Sequence, residues 1–295
     1  MNAPRLALSV ALLVVAGCAS SRTPAAPATS SATPTIASPV ASPSARDTHE
    51  HLQATLWMQT AIEYRMVCES AYRAATAALD AALVDRTWSA AVEQIGDVSA
   101  LPPAVVLDLD ETVLDNSRFQ GELVRRRLVY TPELWREWVR QRRAELVPGA
   151  GAFLAAARER GVAVFFVTNR RIEEEGDTVA NLAALGVDAA PETLLCAGEN
   201  DWPSDKVGRR TLLAGTHRIV VLVGDDLGDF VPARLPVAER AAAAERHAAW
   251  WGTRWIVLPN PAYGSWERAL LGYESGLSDE QSLQKKRALV KGFTD

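Results

Sequence analysis

A surplus of basic residues is missing from this 295-residue chain: 31 Lys and Arg stand against 36 Asp and Glu, a formal net charge of −5 at pH 7. Nucleic-acid polymers select basic surfaces, so this balance argues against them as partners. Small anionic substrates would have to be met by a local cation or a metal. The apolar run at residues 6–16 is too short to cross a bilayer, which takes roughly 20 residues. Cysteine is scarce, with three in all. No local spacing suggests that Cys68 and Cys196 pair, so two free core thiols are expected. Proline and glycine are absent from residues 47–84, leaving nothing there to interrupt a helix. Glycine is also missing from the sixth position of residues 108–115, where Val113 stands, and that excludes an EF-hand loop. No internal repeat is present.

What is there begins with a targeting segment. Arg5 precedes the run at 6–16, whose length suits the core of a signal peptide. The run ends in Val15-Ala16-Gly17-Cys18, which resembles the bacterial lipobox. That resemblance implies a signal peptide at 1–17 and a diacylated Cys18 as the mature N-terminus. Buried acyl chains anchor at about 0.8 kcal/mol per CH2. Ser20 stands where an Asp would favour inner-membrane retention. The expectation is an outer-membrane lipoprotein, periplasm-facing or surface-exposed. Residues 18–46, almost all Ala, Ser, Thr and Pro, cannot bury enough surface to fold and read as a tether.

Beyond residue 46 the chain can bury a core; its overall hydrophobic content is 48%. Leu52, Leu56, Ile62, Met66, Tyr72 and Leu79 recur near a 3.6 period, predicting one long helix or a broken pair with a packing role. Strands are then expected at 104–109, 162–167, 193–196, 219–223 and 255–258, with helices at 149–160, 173–185, 206–213 and 238–249. Strands without polar alternation are buried on both faces, and strands alternating with helices predict an α/β fold with a doubly wound parallel sheet. Residues 115–147, with helical runs at 122–128 and 132–143, read as a small, mainly helical cap inserted in a domain spanning 47–273. The tail at 274–295 carries no legible motif, and the Ala-rich run at 238–249 either packs closely or offers a homodimer face.

Chemistry recurs at the strand ends. The first strand runs into Asp108 and Asp110. The second ends in Thr168-Asn169-Arg170, Lys206 opens a helix, and the strand at 219–223 ends in Gly224-Asp225-Asp226-Leu227-Gly228-Asp229. In a parallel sheet these C-terminal ends share one edge, so distant residues converge. One carboxylate can attack phosphorus while the other handles a proton.

This set resembles the four motifs of the haloacid-dehalogenase-like (HAD) superfamily. Its wording is closer still to the class C acid phosphatases, the outer-membrane lipoprotein 5′-nucleotidase group. The similar stretches are Leu56-Trp57-Met58-Gln59, Asp108-Leu109-Asp110-Glu111-Thr112-Val113-Leu114-Asp115-Asn116, Phe165-Phe166-Val167-Thr168-Asn169-Arg170 and Leu258-Pro259-Asn260-Pro261-Ala262-Tyr263-Gly264-Ser265-Trp266-Glu267. The resemblance implies a HAD-like core and Mg2+-dependent hydrolysis of phosphomonoesters, nucleoside 5′-monophosphates including nicotinamide mononucleotide among them. Asp108 would be the nucleophile, passing through an aspartyl-phosphate. Asp110 would be the general acid, with its backbone carbonyl a further metal ligand. Crowding of the two acids would raise one pKa of the pair and give an acidic optimum. Asp108 and Asp225 would hold Mg2+ through carboxylates, a hard donor set that suits it. Asp229 would order a metal-bound water, and Asp226 would either approach the metal or face solvent. Thr168 and Lys206 would bind the phosphoryl group, with Asn169 and Arg170 in support.

Trp135, Trp138 and Tyr263 are candidates for stacking a nucleobase, or alternatively for core packing. Trp250, Trp251 and Trp255 read as core or interface residues, and His217 as structural. Two other readings compete with phosphatase. Dehalogenase chemistry needs neither a metal nor an acid at position 110. A catalytically inactive, phosphatase-like binding lipoprotein would not need Asp108, Asp110, Thr168, Lys206 and Asp225 all in place.

Overall fold

The structure, a computed structural model, describes residues 49–232 and 234–293. The signal segment, Cys18 and the tether lie outside these residues. The predicted helix at 47–84 is a pair, α1 (Leu52–Thr60) and α2 (Ile62–Val84). Ala61 between them is extended, with φ −78° and ψ 127°. The break lets each helix bury its own face. Helix α2 then leads into strand β1 (Pro103–Leu107). Strand β2 (Leu114–Asp115), helices α3 (Ser117–Arg126) and α4 (Pro132–Gln141) and strand β3 (Glu145–Leu146) fill the expected insert, with β2 and β3 pairing antiparallel to close it. Helix α1 packs on α3. Alternation then follows the expected order: α5 (Ala150–Glu159), β4 (Ala163–Arg171), α6 (Glu175–Ala184), β5 (Leu194–Ala197), α7 (Val207–Ala214), β6 (Arg218–Gly224), α8 (Val237–Arg246) and β7 (Trp255–Val257). Two helices close the chain, α9 (Ser265–Leu270) and α10 (Asp279–Leu289).

The main sheet is parallel throughout, in the order β5-β4-β1-β6-β7. Strand order reverses at β1, and ligands bind beyond the carboxyl ends of strands at such a reversal. Leu107 is level with Phe166 of β4 and Val223 of β6, so β1 and β6 finish together while β4 runs on to Arg171 beside them. Side chains alternate across the sheet. Val105 and Leu107 enter the core shared with α2 and α5, while Val106 enters a second core with Leu213, Phe230 and Trp255. Burying a large apolar chain of this kind contributes about 1.5–3 kcal/mol. Helix α2 lies against α5, β6 and β7. Gly149, at φ +92°, admits that approach, since a Cβ there would stand 3.0 Å from the Tyr72 Cβ.

Cys68 and Cys196 are free and buried, and Trp250, Trp251 and Trp255 cluster with Phe230 and His247. His217 packs edge-on to Phe165 at 4.8 Å, a structural contact. The tail is more ordered than its lack of motifs suggested. Ser278 and Gln281 form a capping box that starts α10, a signal legible as Ser-x-x-Gln. Lys286 on α10 then ion-pairs with both Glu50, at 2.8 Å, and Glu267. Among the described residues no helix is long and apolar enough to cross a membrane.

Candidate active site

Asp108 follows β1, its N–H donating to the Val223 carbonyl at 3.0 Å. That bond stitches the end of β1 to β6 and brings Asp108 beside the loop that carries Asp225 and Asp229. The carboxylates of Asp108, Asp225 and Asp229 each offer an oxygen within 4.8 Å of the others. Asp229, expected one step back from the metal, stands beside the other two, with Oδ1 accepting from Lys206 and Oδ2 from the Asp226 N–H. Gly224 is the reason: a Cβ there would stand 2.1 Å from Asp229 Oδ2, so only glycine lets this carboxylate fold back. Asp226 is turned away. It accepts from the N–H groups of Gly228 at 2.8 Å and Ser265 at 2.6 Å, and from the Ser265 hydroxyl, tying the loop after β6 to the start of α9.

Lys206, at the start of α7, is the cation of the cluster. Its ammonium donates to Asp108 Oδ1 and, at 2.6 Å, to Asp229 Oδ1. Burial pulls its pKa down, but Asp108 and Asp229 more than offset this and hold it above the ordinary lysine value. Burial pushes Asp108 up to about 7, against the pull of Lys206 and with the push of Asp229 and Asp110. Burial likewise raises Asp225, and the Asp108 and Asp229 charges add to it. Asp225 is held by Asn260, which donates to Oδ2 at 2.8 Å, and by the Thr112 hydroxyl at 3.4 Å.

Asp110 is gripped on one oxygen. Its Oδ1 accepts from Arg170 Nη2 at 2.8 Å, Arg170 Nε at 3.0 Å and Asn116 Nδ2 at 2.9 Å. Its Oδ2 makes no hydrogen bond among the described residues. Arg170 is buried, bonds Thr178 Oγ1 at 3.1 Å and lies 5.4 Å from the Trp135 ring centre. Trp138 donates to Asn116 Oδ1 at 2.8 Å and is buried, so of its two readings it takes core packing. Trp135 is half-buried and stands edge-on to Phe119. Tyr263 is half-buried too, and its hydroxyl donates to Glu111.

Glu111, fully buried, lies in the first motif, whose pattern gives it no role of its own. It accepts from the Asn116 N–H at 3.0 Å as well as from Tyr263, so it locks the loop after β1 to the loop bearing Asn260 and Tyr263. Its φ of +56° is rare for a non-glycine residue, and such strain is characteristic of functional loops. Tyr72 on α2 supports the same loop through the Thr112 carbonyl at 2.6 Å. Thr168 lies inside β4, which runs on past the expected strand end to Arg171, and is fully buried, with Oγ1 accepting the Arg170 N–H at 3.1 Å. Asn169 is exposed, and its Oδ1 accepts from Arg209 at 2.9 Å. Arg209 was not singled out in the sequence, although it lies three residues beyond Lys206, the spacing of one helix face.

The donor set fits a divalent cation: three carboxylates converge, and burial with nearby negative charge disfavours the charges of Asp108 and Asp225. A carboxyl whose folded pKa exceeds its unfolded value holds its proton more tightly in the native state. Asp108 and Asp225 therefore make stability fall as pH rises from the ordinary carboxylate value, about 4, towards about 7 for Asp108. Lys206, with its pKa raised, contributes fully throughout that window. Calorimetry in EDTA is expected to show Tm falling from pH 4 to pH 7, and added Mg2+ to raise Tm more at pH 7 than at pH 5. A Mg2+ shift independent of pH would contradict the cluster's charge.

Comparison with known proteins shows the family. The family model of HAD superfamily subfamily IIIB (acid phosphatase) matches residues 15–266. The class C acid phosphatase from Bacillus anthracis is 34% identical, with a TM-score of 0.75 over 83% of this chain and 98% of that chain. A crystal structure of the class C acid phosphatase from that organism with tungstate bound is likewise 34% identical, with a TM-score of 0.74 over the same shares. The chain belongs to the acid phosphatases of HAD subfamily IIIB and is, as a class C acid phosphatase, a phosphomonoester hydrolase.

Proposed function

We propose that the protein hydrolyses nucleoside 5′-monophosphates, nicotinamide mononucleotide included, by two displacements through a phosphorylated Asp108, with Mg2+ bound. The observation that carries this reading is the division of labour between the two acids. Asp108 shares one oxygen with Lys206, and Asp110 has one oxygen fixed by Arg170 and Asn116 while the other has no hydrogen-bond partner among the described residues. Asp108 attacks phosphorus and the ester P–O bond breaks. Asp110 gives its proton to the departing alkoxide. Asp110 then takes a proton from water, whose oxygen attacks the same phosphorus. The bond to Asp108 breaks, inorganic phosphate leaves and both acids return to their starting states. Thr168 and Lys206 bind the non-bridging oxygens, and Lys206 offsets charge on Asp108 as the phosphoryl group arrives. Asp108, Asp225 and Asp229 would hold Mg2+, with the Asp110 carbonyl a further candidate ligand; the ion supplies charge neutralisation of the phosphoryl oxygens.

The tungstate in the Bacillus anthracis structure supports an oxyanion site of this kind, since tungstate shares the tetrahedral shape of phosphate. For the base, Tyr263 beside Glu111 and Trp135 beside Arg170 offer half-buried aromatic faces. Phosphate release from a panel of phosphate esters, ranked by kcat/KM, is expected to place nucleoside monophosphates above small alkyl phosphates and to stop in EDTA. Turnover undiminished in EDTA would refute the metal, and a flat ranking would refute the nucleotide preference. An inactive binding shell would release no phosphate at all. The same reading extends to the N-terminus, with lipid on Cys18 tethering the enzyme to the outer membrane. Full-length protein is then expected to partition into detergent and the Cys18→Ser variant into water, and equal partition would refute the anchor.

A further inference from the structure

Among the described residues, four arginines are buried to 3% exposure or less: Arg170, Arg209, Arg210 and Arg218. Asp110 answers the charge of Arg170, and Glu93 that of Arg210 at 2.9 Å. Arg209 and Arg218 make no ion pair among the described residues and bond oxygen dipoles instead. Arg218 gathers the carbonyls of Ala82, Asp85 and Trp88 at 3.0, 3.1 and 3.1 Å, at the end of β6 remote from the site. Its contacts join the end of α2 to the sheet.

The partners of Arg209 belong to the site. Its Nη1 donates to the carbonyl of Thr168 and to that of Leu195 at 3.3 Å. Its Nη2 faces Asn169 Oδ1 at 2.9 Å and the carbonyls of Pro203, Ser204 and Asp205 at 3.2, 3.3 and 3.3 Å, the three residues that lead into Lys206. Its Nε is buried without a partner. A guanidinium does not give up its proton in a protein. Dipoles solvate such a charge but do not cancel it. Lys206 faces Asp108 and Asp229, and Arg170 faces Asp110. Arg209 thus brings to this edge of the sheet a positive charge that no carboxylate pairs with.

We propose that Arg209 is a positioning residue of the phosphate site: from behind, it fixes the Thr168 stretch of β4 against the loop that leads into Lys206, and its charge, paired with no carboxylate among the described residues, holds the phosphate dianion without touching it. The inference rests on the reading that Thr168 and Lys206 bind the phosphoryl group. Such a charge acts on the phosphate of every substrate and is indifferent to the leaving group.

The test compares Arg209→Gln, Arg209→Lys and Arg218→Gln with the wild-type enzyme, reading the Ki of inorganic phosphate and Tm. Competitive inhibition of the wild type by phosphate checks the underlying reading on its own; its absence would sink that reading whatever Arg209 does. Arg209→Gln is expected to raise the phosphate Ki about tenfold, and Arg209→Lys, which keeps the charge, to hold it within about threefold. Arg218→Gln is expected to lower Tm and leave Ki unchanged. Should Arg209→Gln fail to fold, Asn169→Asp sets a carboxylate against Nη2 and is expected to raise Ki in its place. A wild-type Ki in Arg209→Gln or Asn169→Asp, or equal weakening by Lys and Gln at 209, overturns the proposal.

Discussion

Asp108→Asn is expected to lower kcat for p-nitrophenyl phosphate by at least about 10⁴-fold, the scale on which removal of a catalytic nucleophile acts. The amide cannot form the acyl phosphate, and no neighbour replaces it: Asp225 is held by Asn260, Asp229 by Lys206 and the Asp226 N–H, and Asp110 by Arg170. Folding should not suffer. Burial already disfavours the Asp108 charge, and the amide removes one anion from a crowded group while Asp229 keeps its bond to Lys206. The variant should therefore retain its Tm in EDTA and still bind inorganic phosphate. Its Mg2+ affinity should fall, because one of the three converging carboxylates is gone. Stopped assays, calorimetry and phosphate binding read these separately. Residual turnover above about 1% of wild type would place the nucleophile elsewhere.

Lys206→Met is expected to damage both activity and stability. Loss of one preorganised cation at the transferring phosphoryl group lowers kcat about 10²–10³-fold. The structural cost has a different origin. Lys206 is the only cation that hydrogen-bonds Asp108 and Asp229 among the described residues, and all three side chains are less than a tenth exposed. Removing one partner of such a buried group costs about 3–5 kcal/mol, because the remaining charges are left uncompensated. The loss should be greatest near neutral pH, where Asp108 is driven to ionise, and smaller near pH 4, where burial keeps its carboxyl protonated. Mg2+ should restore part of the stability and little of the rate, since the cation answers the carboxylates but does not stand where the ammonium did. Chemical denaturation at pH 4 and pH 7, with and without Mg2+, checks this. A loss under about 1 kcal/mol at pH 7, typical of a solvated surface pair, would mean that Lys206 is not the buried counter-charge of the cluster.

Much of the scaffold was legible before the fold. Unbroken apolar runs at β1 and β6 marked doubly buried strands, and alternating helices marked the parallel sheet. The order Asp108, Thr168, Lys206, Asp225 placed four chemical groups on one edge, because parallel strands bring their C-terminal ends together. Details of the partnership were not legible. Asp226 and Asp229 are both acids of one turn, yet one ties that turn to α9 and the other joins the cluster. Hydropathy cannot separate them; the choice depends on the space above Gly224. Trp135 and Trp138 are likewise neighbours on α4, and only the position of Asn116 buries the second as a hydrogen-bonded core residue. The tail hid a helix because a capping box is a weaker signal than apolar periodicity.

The amino-acid order alone determined the sheet class, the family and the set of acids that could serve it, because those rest on periodicity and on motifs a few residues long. Only the tertiary structure decided that Asp229 stands with Asp108 and Asp225, that Tyr263 answers to Glu111, and that Arg209 braces the Thr168 and Lys206 loops with a charge no carboxylate pairs with. Those are matters of which atoms meet, across up to 152 positions of chain. Such meetings are set by strand register and by the approach a missing Cβ allows, neither of which a local pattern encodes.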